Sequence, residues 1–403
     1  MKKCTKIVFS ALTGVIIILN ILAWKSTSFC DFYVDKIFPV WINTYGRLTS
    51  LSTKSVGEMM IALAVILLLT AIILGFVAVI FFTINKILSN KLKDNWKNHF
   101  RVFNRIVKIY FINILGVAIV ISCIMTLNCF ILYHCSTFKD KYLTDVLQNR
   151  GDYTIEELSY LRDYVVMRVN EYAKMMDRDE NGLIIYYGNM EEEAIRSMQA
   201  LGETYPQLAG YYTTPKQIRS SEFLSQQYMQ GYYFPFSMEA NYNNVMYIMC
   251  KPSTMCHELA HTKGFIYEDE ANFISFLACI HSDDIVFQYS GYLSVLNYID
   301  NDFKESIKGN KSIYNSHVRV SSQVKRDNVF LTEEAWVQVE KKAIVKTETV
   351  KKASSTFIET SLVLNGLEQG SANYSEVVGL LMDYYTCTDD EWMNQDNYIV
   401  MGE

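Results

Sequence analysis

The sequence lacks the glycine-rich motifs of nucleotide-dependent enzymes. We find neither a P-loop nor a dinucleotide-binding fingerprint, and no internal repeat. The nine cysteines do not amount to a disulfide framework in a chain of 403 residues. The length exceeds that of one average domain, and half of the residues are hydrophobic.

Basic residues are scarce in the C-terminal two thirds of the chain. Residues 1–133 contain 14 Lys and Arg against 4 Asp and Glu, whereas residues 134–403 contain 23 against 39. A soluble enzyme has no reason to divide its charge in this way, but a membrane anchor with basic cytoplasmic loops and an acidic outer domain does. The acidic part would repel phosphate groups, so nucleic acid is not an expected partner.

Charge is also missing from three long apolar stretches, at about residues 7–24, 59–84 and 109–133. The second has no charged residue in 26 positions, which is enough to cross a hydrocarbon core of ~30 Å. The first resembles a signal peptide, but no small-x-small cleavage pattern follows it, so we expect an uncleaved anchor. Residues 25–58 are expected to form a loop.

The topology follows from the connection between the second and third stretches. Residues 85–108 contain seven Lys and Arg and one acidic residue. The positive-inside rule puts this loop and the N-terminus in the cytoplasm. We therefore predict a multi-pass protein of the cell membrane in which residues 1–133 are a three-helix anchor and residues 134–403 form an extracytoplasmic domain.

Helical periodicity dominates this second part of the chain. Predicted helices cover about residues 154–176, 190–203, 254–263, 268–281, 284–299, 333–364 and 374–385. Asp177–Gly182 is interpreted as a turn, because it resembles a calcium loop without the required final glutamate. Asn241–Met249 is a strand candidate, and the aromatic residues of 205–235 fit either core packing or a substrate cleft. The tail from Thr386 to Glu403 is expected to fray. The expected fold is mostly α with a small β-sheet, of the α+β class.

The most informative motif is His257-Glu-Leu-Ala-His261. Residues four apart lie on one face of a helix, so both imidazoles can bind one Zn²⁺ while Glu258 reaches the metal-bound water. Pro252 fits the first turn of such a helix, and Gly264 fits its C-terminal stop.

A catalytic zinc usually has three protein ligands, and Glu268 and Glu270 are the nearby candidates. Asn272 follows Glu268 by one helical turn and can brace the site, whereas the residue four beyond Glu270 is Ile274, which cannot form a hydrogen bond. We therefore favour Glu268 and keep Glu270 as the alternative. The E-x-x-A-N spacing resembles the third-ligand helix of gluzincin metallopeptidases.

Two other residues near the motif, Cys256 and His281, are weaker ligand candidates. Cys256 lies about 100° around the helix from His257, so we interpret it as a small buried residue. Cys250 and Cys256 could form a disulfide in an oxidising compartment, and the sequence alone does not decide whether they do. His281 falls about 20 Å along the helix from Glu268 and is excluded as a ligand.

Longer segments carry a family resemblance. They are CHELAHTKGFIYEDEANFISFLAC (256–279), EANYN (239–243), YSGYL (289–293) and LNGLEQGSANYSEVVGLL (364–381). They resemble a bacterial family of membrane-anchored, zincin-like proteins that is classified as a domain of unknown function. The resemblance implies transmembrane helices followed by a zincin-like metallopeptidase domain, but no substrate. It also implies that the strand before the histidines binds extended peptide along a sheet edge.

The resulting hypothesis is a zinc metallopeptidase in which Glu258 is the general base and the substrate is a peptide or protein, with cell-wall peptide as a further option. A second donor is needed for the tetrahedral oxyanion. The unranked candidates are Tyr267, Tyr289, Tyr292 and His317. The alternative function is a non-catalytic zinc-binding sensor or scaffold at the cell surface, but a structural site would not need Glu258.

Overall fold

A computed structural model describes residues 3–88, 94–143, 153–364 and 376–387. The described chain is mostly helical and contains one three-stranded sheet, so the predicted fold class is confirmed at this level. The last described helix is Glu376–Cys387. The predicted tail from Thr386 onwards lies almost entirely outside the described residues.

Two long helices, Lys3–Lys25 and Val56–Leu88, contain the first two predicted apolar stretches, and a third, Asp94–Met125, contains most of the last one, which continues through short π-helical and 3-10 turns. Each is long and apolar enough to cross a membrane, and the third such segment extends to His134. We call them the first, second and third spans. The Asn20 amide donates to the Thr126 hydroxyl (2.9 Å), and the Tyr110 hydroxyl donates to the Leu67 carbonyl (2.6 Å). These bonds tie the third span to both others.

The segment between the first two spans is helical, so its interpretation as a loop was wrong. Short α-helical and π-helical turns follow one another through 27–49. Tyr33, Val34 and Phe38 are among the side chains that this segment buries against Met238 and Ile266. Those contacts lie more than 200 residues away in sequence, which is why local composition did not reveal them.

Local signals predicted several of the next helices, but the single helix predicted over 333–364 was wrong, because Glu333–Lys342 and Thr347–Leu364 are separate helices. Thr154 accepts from the Glu157 amide (3.2 Å), and the Glu157 carboxylate accepts from the Thr154 amide (2.7 Å), which is the expected capping box. The Asp177–Gly182 turn is present, with Gly182 at a φ of +78°. The helices after the third span are Phe138–Tyr142, Ile155–Met175, Met190–Thr204, Ser221–Gln226, Lys251–His261, Glu268–Ile280, Ile285–Ser306, Lys311–Ser316, Ser322–Asp327, Glu333–Lys342, Thr347–Leu364 and Glu376–Cys387.

The sheet consists of β1 (Lys216–Ile218), β2 (Gly231–Phe234) and β3 (Glu239–Asn243), in the order β1-β3-β2. The strand β3 is parallel to β1 and antiparallel to β2. It begins two residues before the predicted strand and ends at Asn243, ahead of a 3-10 turn at Ile248–Cys250. Because β3 is paired on both sides, it cannot be the expected substrate-binding edge. The edge strands of this sheet are β1 and β2.

Candidate metal centre

The two histidines lie on the Lys251–His261 helix, which we call the histidine helix. It begins three residues earlier than predicted, and Thr254 lies inside it, donating to the Cys250 carbonyl (2.7 Å). Gly264 follows the helix at a φ of +92°, as the predicted stop requires. A Cβ at Gly264 would lie 2.5 Å from a Val34 methyl, so the turn also leaves no room for a side chain.

This turn brings Glu268 back to the histidines. Glu268 is the first residue of the Glu268–Ile280 helix, which we call the glutamate helix. The His257 Nε2 atom lies 3.1 Å from His261 Nε2 and 3.1 Å from Glu268 Oε2. His261 Nε2 lies 3.9 Å from Glu268 Oε1. Ligands ~2.0–2.1 Å from a tetrahedral ion are about 3.3 Å apart, so the three groups have the spacing of a metal site.

Hydrogen bonds orient the imidazoles for this role. His261 Nδ1 lies 2.7 Å from the Phe265 carbonyl oxygen, which can only accept, so Nδ1 donates. His257 Nδ1 lies 2.9 Å from Asn272 Oδ1 and is assigned the same way. In the neutral rings both Nε2 atoms then carry lone pairs that face each other and the Glu268 carboxylate. Three converging acceptors repel one another unless a cation lies among them, so these residues could hold a metal ion.

The pKa values indicate that a proton on His257 can supply this positive charge in place of a metal ion. Burial opposes a charge on His257, but the hydrogen bond and charge of Glu268 outweigh it and raise the His257 pKa to about 9. Burial and the neighbouring His257 lower the pKa of His261 to about 4. Burial works against the Glu268 anion, yet its bond to His257 lowers the Glu268 pKa to about 2. The side chains are 14% exposed at His257 and 32% at Glu268, so the centre is open on one side.

Glu258 lies beside this centre and is buried. Burial raises the pKa of its carboxyl to about 8, and the charge of His257 opposes that rise. The Tyr233 amide of β2 lies within hydrogen-bonding reach of the carboxylate. Within the described ranges, no residue donates a hydrogen bond to Glu258 Oε2. A buried carboxylate oxygen without a protein partner is free to accept from a water at the centre.

The strand β2 passes against Glu258. A Cβ on Gly231 would lie 2.7 Å from Glu258 Oε1 and 2.6 Å from the Asn241 carbonyl, so only glycine fits there. The sequence did not predict β2 or the role of Gly231, because the strand lies within the aromatic segment 205–235, where Tyr233 was expected only as a core or cleft residue. The aromatic composition of this segment fits a strand and a turn-rich loop equally well.

Tyr298, on the Ile285–Ser306 helix, is a further residue that the sequence did not single out. Its side chain lies near Asn272 and Glu268, and burial together with the Glu268 charge raises its pKa. No motif spacing marks Tyr298. It reaches the centre only because its helix packs on the glutamate helix.

The structure separates the two candidate carboxylates. Glu270 is buried and accepts a hydrogen bond from the Phe138 amide, and burial raises its pKa to about 8. Glu268 is the carboxylate that faces both histidines, and Asn272 braces His257 as expected from its position one turn along the glutamate helix.

The four residues considered as oxyanion donors are engaged elsewhere. Tyr267 donates to the Tyr133 carbonyl (2.5 Å), Tyr289 to Asp327 (2.9 Å), Tyr292 bonds with Tyr164 (3.3 Å), and His317 bonds with Asp163 (2.8 Å). These contacts stabilise the packing of helices around the centre. Tyr298 is therefore a better-placed hydroxyl than any of the four.

The cysteines near the histidine helix are reduced in this structure. Cys250 and Cys256 are both free thiols, so the disulfide left open above is not formed. Cys256 is buried with its sulfur 3.9 Å from that of Cys279 on the glutamate helix. This contact is consistent with the interpretation of Cys256 as a small packing residue.

Comparison with known proteins identifies a family. No curated protein and no solved structure matches the chain. The sequence model of the family described as "Protein of unknown function (DUF3810)" matches residues 33–382. The matched range contains every residue of the metal centre and begins within the helical segment after the first span. The chain therefore belongs to this family of proteins of unknown function.

Proposed function

We propose that this protein is a membrane-anchored zinc metallopeptidase. One observation carries the proposal: the lone pairs of His257, His261 and Glu268 converge on one point, next to a Glu258 oxygen that lacks a protein donor within the described chain. A site built only to hold a metal does not need that fourth group. Two imidazoles and one carboxylate are the ligand set of catalytic zinc in several metallopeptidases.

A zinc ion bound there would lower the pKa of a water molecule and polarise the carbonyl of the scissile bond. Glu258 then accepts the proton of the water and delivers it to the leaving amine. Its raised pKa, about 8, suits both steps, since such a group can gain and lose a proton near neutral pH. The Tyr298 hydroxyl, near Glu268 and Asn272, is the best-placed candidate to stabilise the oxyanion.

The arrangement supports a zincin-like fold around the centre. The histidine helix, the glutamate helix and a sheet edge that passes the general base are all present. In this proposal β2 takes the place that the sequence had assigned to the strand before the histidines. Its Tyr233 amide faces Glu258 rather than β3.

The proposed topology has the N-terminus in the cytoplasm and the metal centre outside. The end of the first span at Lys25, the start of the second at Val56 and the end of the third all lie at the side of the sheet. One crossing per span is consistent with that arrangement. It puts the basic residues of 85–108 at the opposite side, where the positive-inside rule requires them.

The test uses the full chain purified in detergent. We expect one equivalent of zinc by elemental analysis and zinc-dependent cleavage of a peptide library. Glu258→Gln is the matched control, since the amide has nearly the same size but cannot take the proton. Zinc binding with no hydrolysis by either form would favour the sensor or scaffold function. No stoichiometric metal in the native chain would refute the proposal.

A further inference from the structure

The metal centre is fastened to the end of the third span. Tyr267 immediately precedes the ligand candidate Glu268, and its hydroxyl donates to the Tyr133 carbonyl (2.5 Å). Their rings also meet edge to face, with centroids 5.7 Å apart. The adjacent Ile266 packs in one cluster with Ile131 and Leu132. The loop that carries the third ligand candidate therefore rests on the last turns of a membrane-spanning helix.

The general base is equally close to the second span. Gly231, at one end of β2, touches Glu258, and Phe234, at the other end, packs on Gly57, where a Cβ would lie 2.8 Å from the ring. Three residues of extended strand cover about 10 Å. With the contacts at its two ends, β2 holds Glu258 within about 15 Å of the first turn of the second span. The charge-free stretch begins only two residues further on, at Met59.

Buried polar contacts fix the distance between the candidate metal centre and the spans. The Glu239 carboxylate, fully buried in β3, accepts from the Val56 amide (3.2 Å) and the Gly57 amide (2.8 Å) and pairs with Lys216. From the third span, Asn128 donates to the Pro235 carbonyl (2.9 Å). Breaking a buried, charge-assisted contact costs several kcal/mol, so the centre cannot swing away from the membrane as it could on a flexible linker.

The surface on this side of the protein is apolar where the spans end. Trp24, at the end of the first span, and Phe32, Val40 and Leu51, between the first and second spans, expose large apolar side chains. Such side chains are stable at the boundary between headgroups and hydrocarbon. Their position is consistent with a bilayer surface that reaches the segment 27–49.

From this geometry we infer that the substrate is a membrane-anchored polypeptide, cut a few residues outside its own transmembrane segment. The inference rests on the proposed peptidase function and adds the substrate class. A scissile bond must lie about 10–15 Å above the hydrocarbon boundary, and an extended chain covers that height in about three to five residues. For longer spacers, the chance of presenting the bond at that height falls roughly as the −3/2 power of length. Going from about 5 to about 40 residues lowers it about 20-fold.

The experiment reconstitutes the full chain in lipid nanodiscs with single-span substrates. Each substrate carries the same randomised cleavable segment, separated from its span by a flexible spacer of about 3, 6, 12, 24 or 48 residues. The same segment is supplied as a soluble peptide at equal concentration. Cut positions are identified by mass spectrometry, and Glu258→Gln is run in every arm. We expect the rate to peak at the short spacers and the cuts to fall at a constant distance from the membrane.

The outcomes separate the inference from the function on which it rests. Cleavage that is zinc-dependent, lost in Glu258→Gln and equally fast for all spacers and for the soluble peptide would overturn the inference and leave the peptidase intact. A rate that rises with spacer length would overturn the inference as well. No cleavage in any arm by the zinc-loaded chain would overturn both.

Discussion

Replacing the two carboxylates of the glutamate helix one at a time gives the sharpest test of the candidate metal centre. Glu268→Ala removes the oxygen atoms that lie 3.1 Å and 3.9 Å from the two Nε2 atoms. Glu270→Gln instead keeps an oxygen that can accept from the Phe138 amide. The two positions are one helical turn or less from each other, so general damage to the helix affects both variants alike.

The magnitude follows from the number of ligands. Four-ligand structural zinc sites bind with roughly 10–16 kcal/mol, or about 3 kcal/mol for each ligand. Losing Glu268 should therefore weaken zinc binding by about 10²-fold, since 1.4 kcal/mol is tenfold. Glu270→Gln should change it by less than about threefold, because Glu270 faces Phe138 and not the histidines. Asn272→Ala, which loses only a brace on His257, should lie between them at ~10–100-fold.

Glu270→Gln has a signature of its own in the pH dependence of stability. The Glu270 pKa is about 8 in the folded chain, above its ordinary value, because burial disfavours the anion. The folded state then holds more protons than the unfolded state, so this group lowers stability as pH rises from its ordinary pKa through about 8. The loss is about 1.4 kcal/mol per pH unit within that window. Glutamine cannot ionise, so the variant should lack this slope.

Zinc affinities are measured by competition with a chelator. Stability is measured by thermal unfolding in detergent from pH 5 to 9, the range in which Glu270 is expected to affect stability. A larger affinity loss in Glu270→Gln than in Glu268→Ala would refute the assignment of Glu268. An unchanged pH slope in Glu270→Gln would refute the buried, uncharged state of Glu270.

Three further predictions concern the site and the topology. His261→Ala should weaken zinc binding at least as much as Glu268→Ala, by about 10²-fold or more, whereas Glu258→Gln should retain stoichiometric zinc and lose hydrolysis; chelator competition and elemental analysis with a peptide assay check both. Gly231→Ala should lower the cleavage rate while zinc stays bound, since the new methyl must displace Glu258 or the sheet at a cost of about 1–3 kcal/mol; an unchanged rate would contradict the close packing. A reporter fused after Glu403 should be external and one inserted near Asn95 cytoplasmic, and protease protection in intact cells would reveal the opposite orientation.

Local chemistry was enough to predict several elements. The capping box at Thr154 and the helix stop at Gly264 are properties of a few adjacent residues, and both are present in the structure. The position of Asn272, one helical turn beyond Glu268, also follows from helical spacing alone. Such signals do not depend on the rest of the fold, which is why they could be found in one sequence.

Other features depend on distant partners. The strand β2 has only four residues, and its glycine is explained by Glu258 and Asn241, which come later in the chain. Tyr298 looks like any tyrosine on an amphipathic helix until that helix is packed against the glutamate helix. The helical segment 27–49 gains its core contacts from Met238 and Ile266. None of these pairings leaves a periodic trace in the sequence.

The same distant contacts hold residues 1–133 against the candidate metal centre. Tyr33 and Phe38, which precede the second span, share a core cluster with Ile266, next to the third-ligand candidate. Removing residues 1–133 would expose that cluster and leave the buried Glu239 without the two amides it binds. Lys216 and Ser237 would remain as partners of Glu239, but the loss of two charge-assisted hydrogen bonds to a buried carboxylate is destabilising. The three long apolar helices are thus part of what holds the candidate metal centre together, and the full chain is the form in which its chemistry has to be measured.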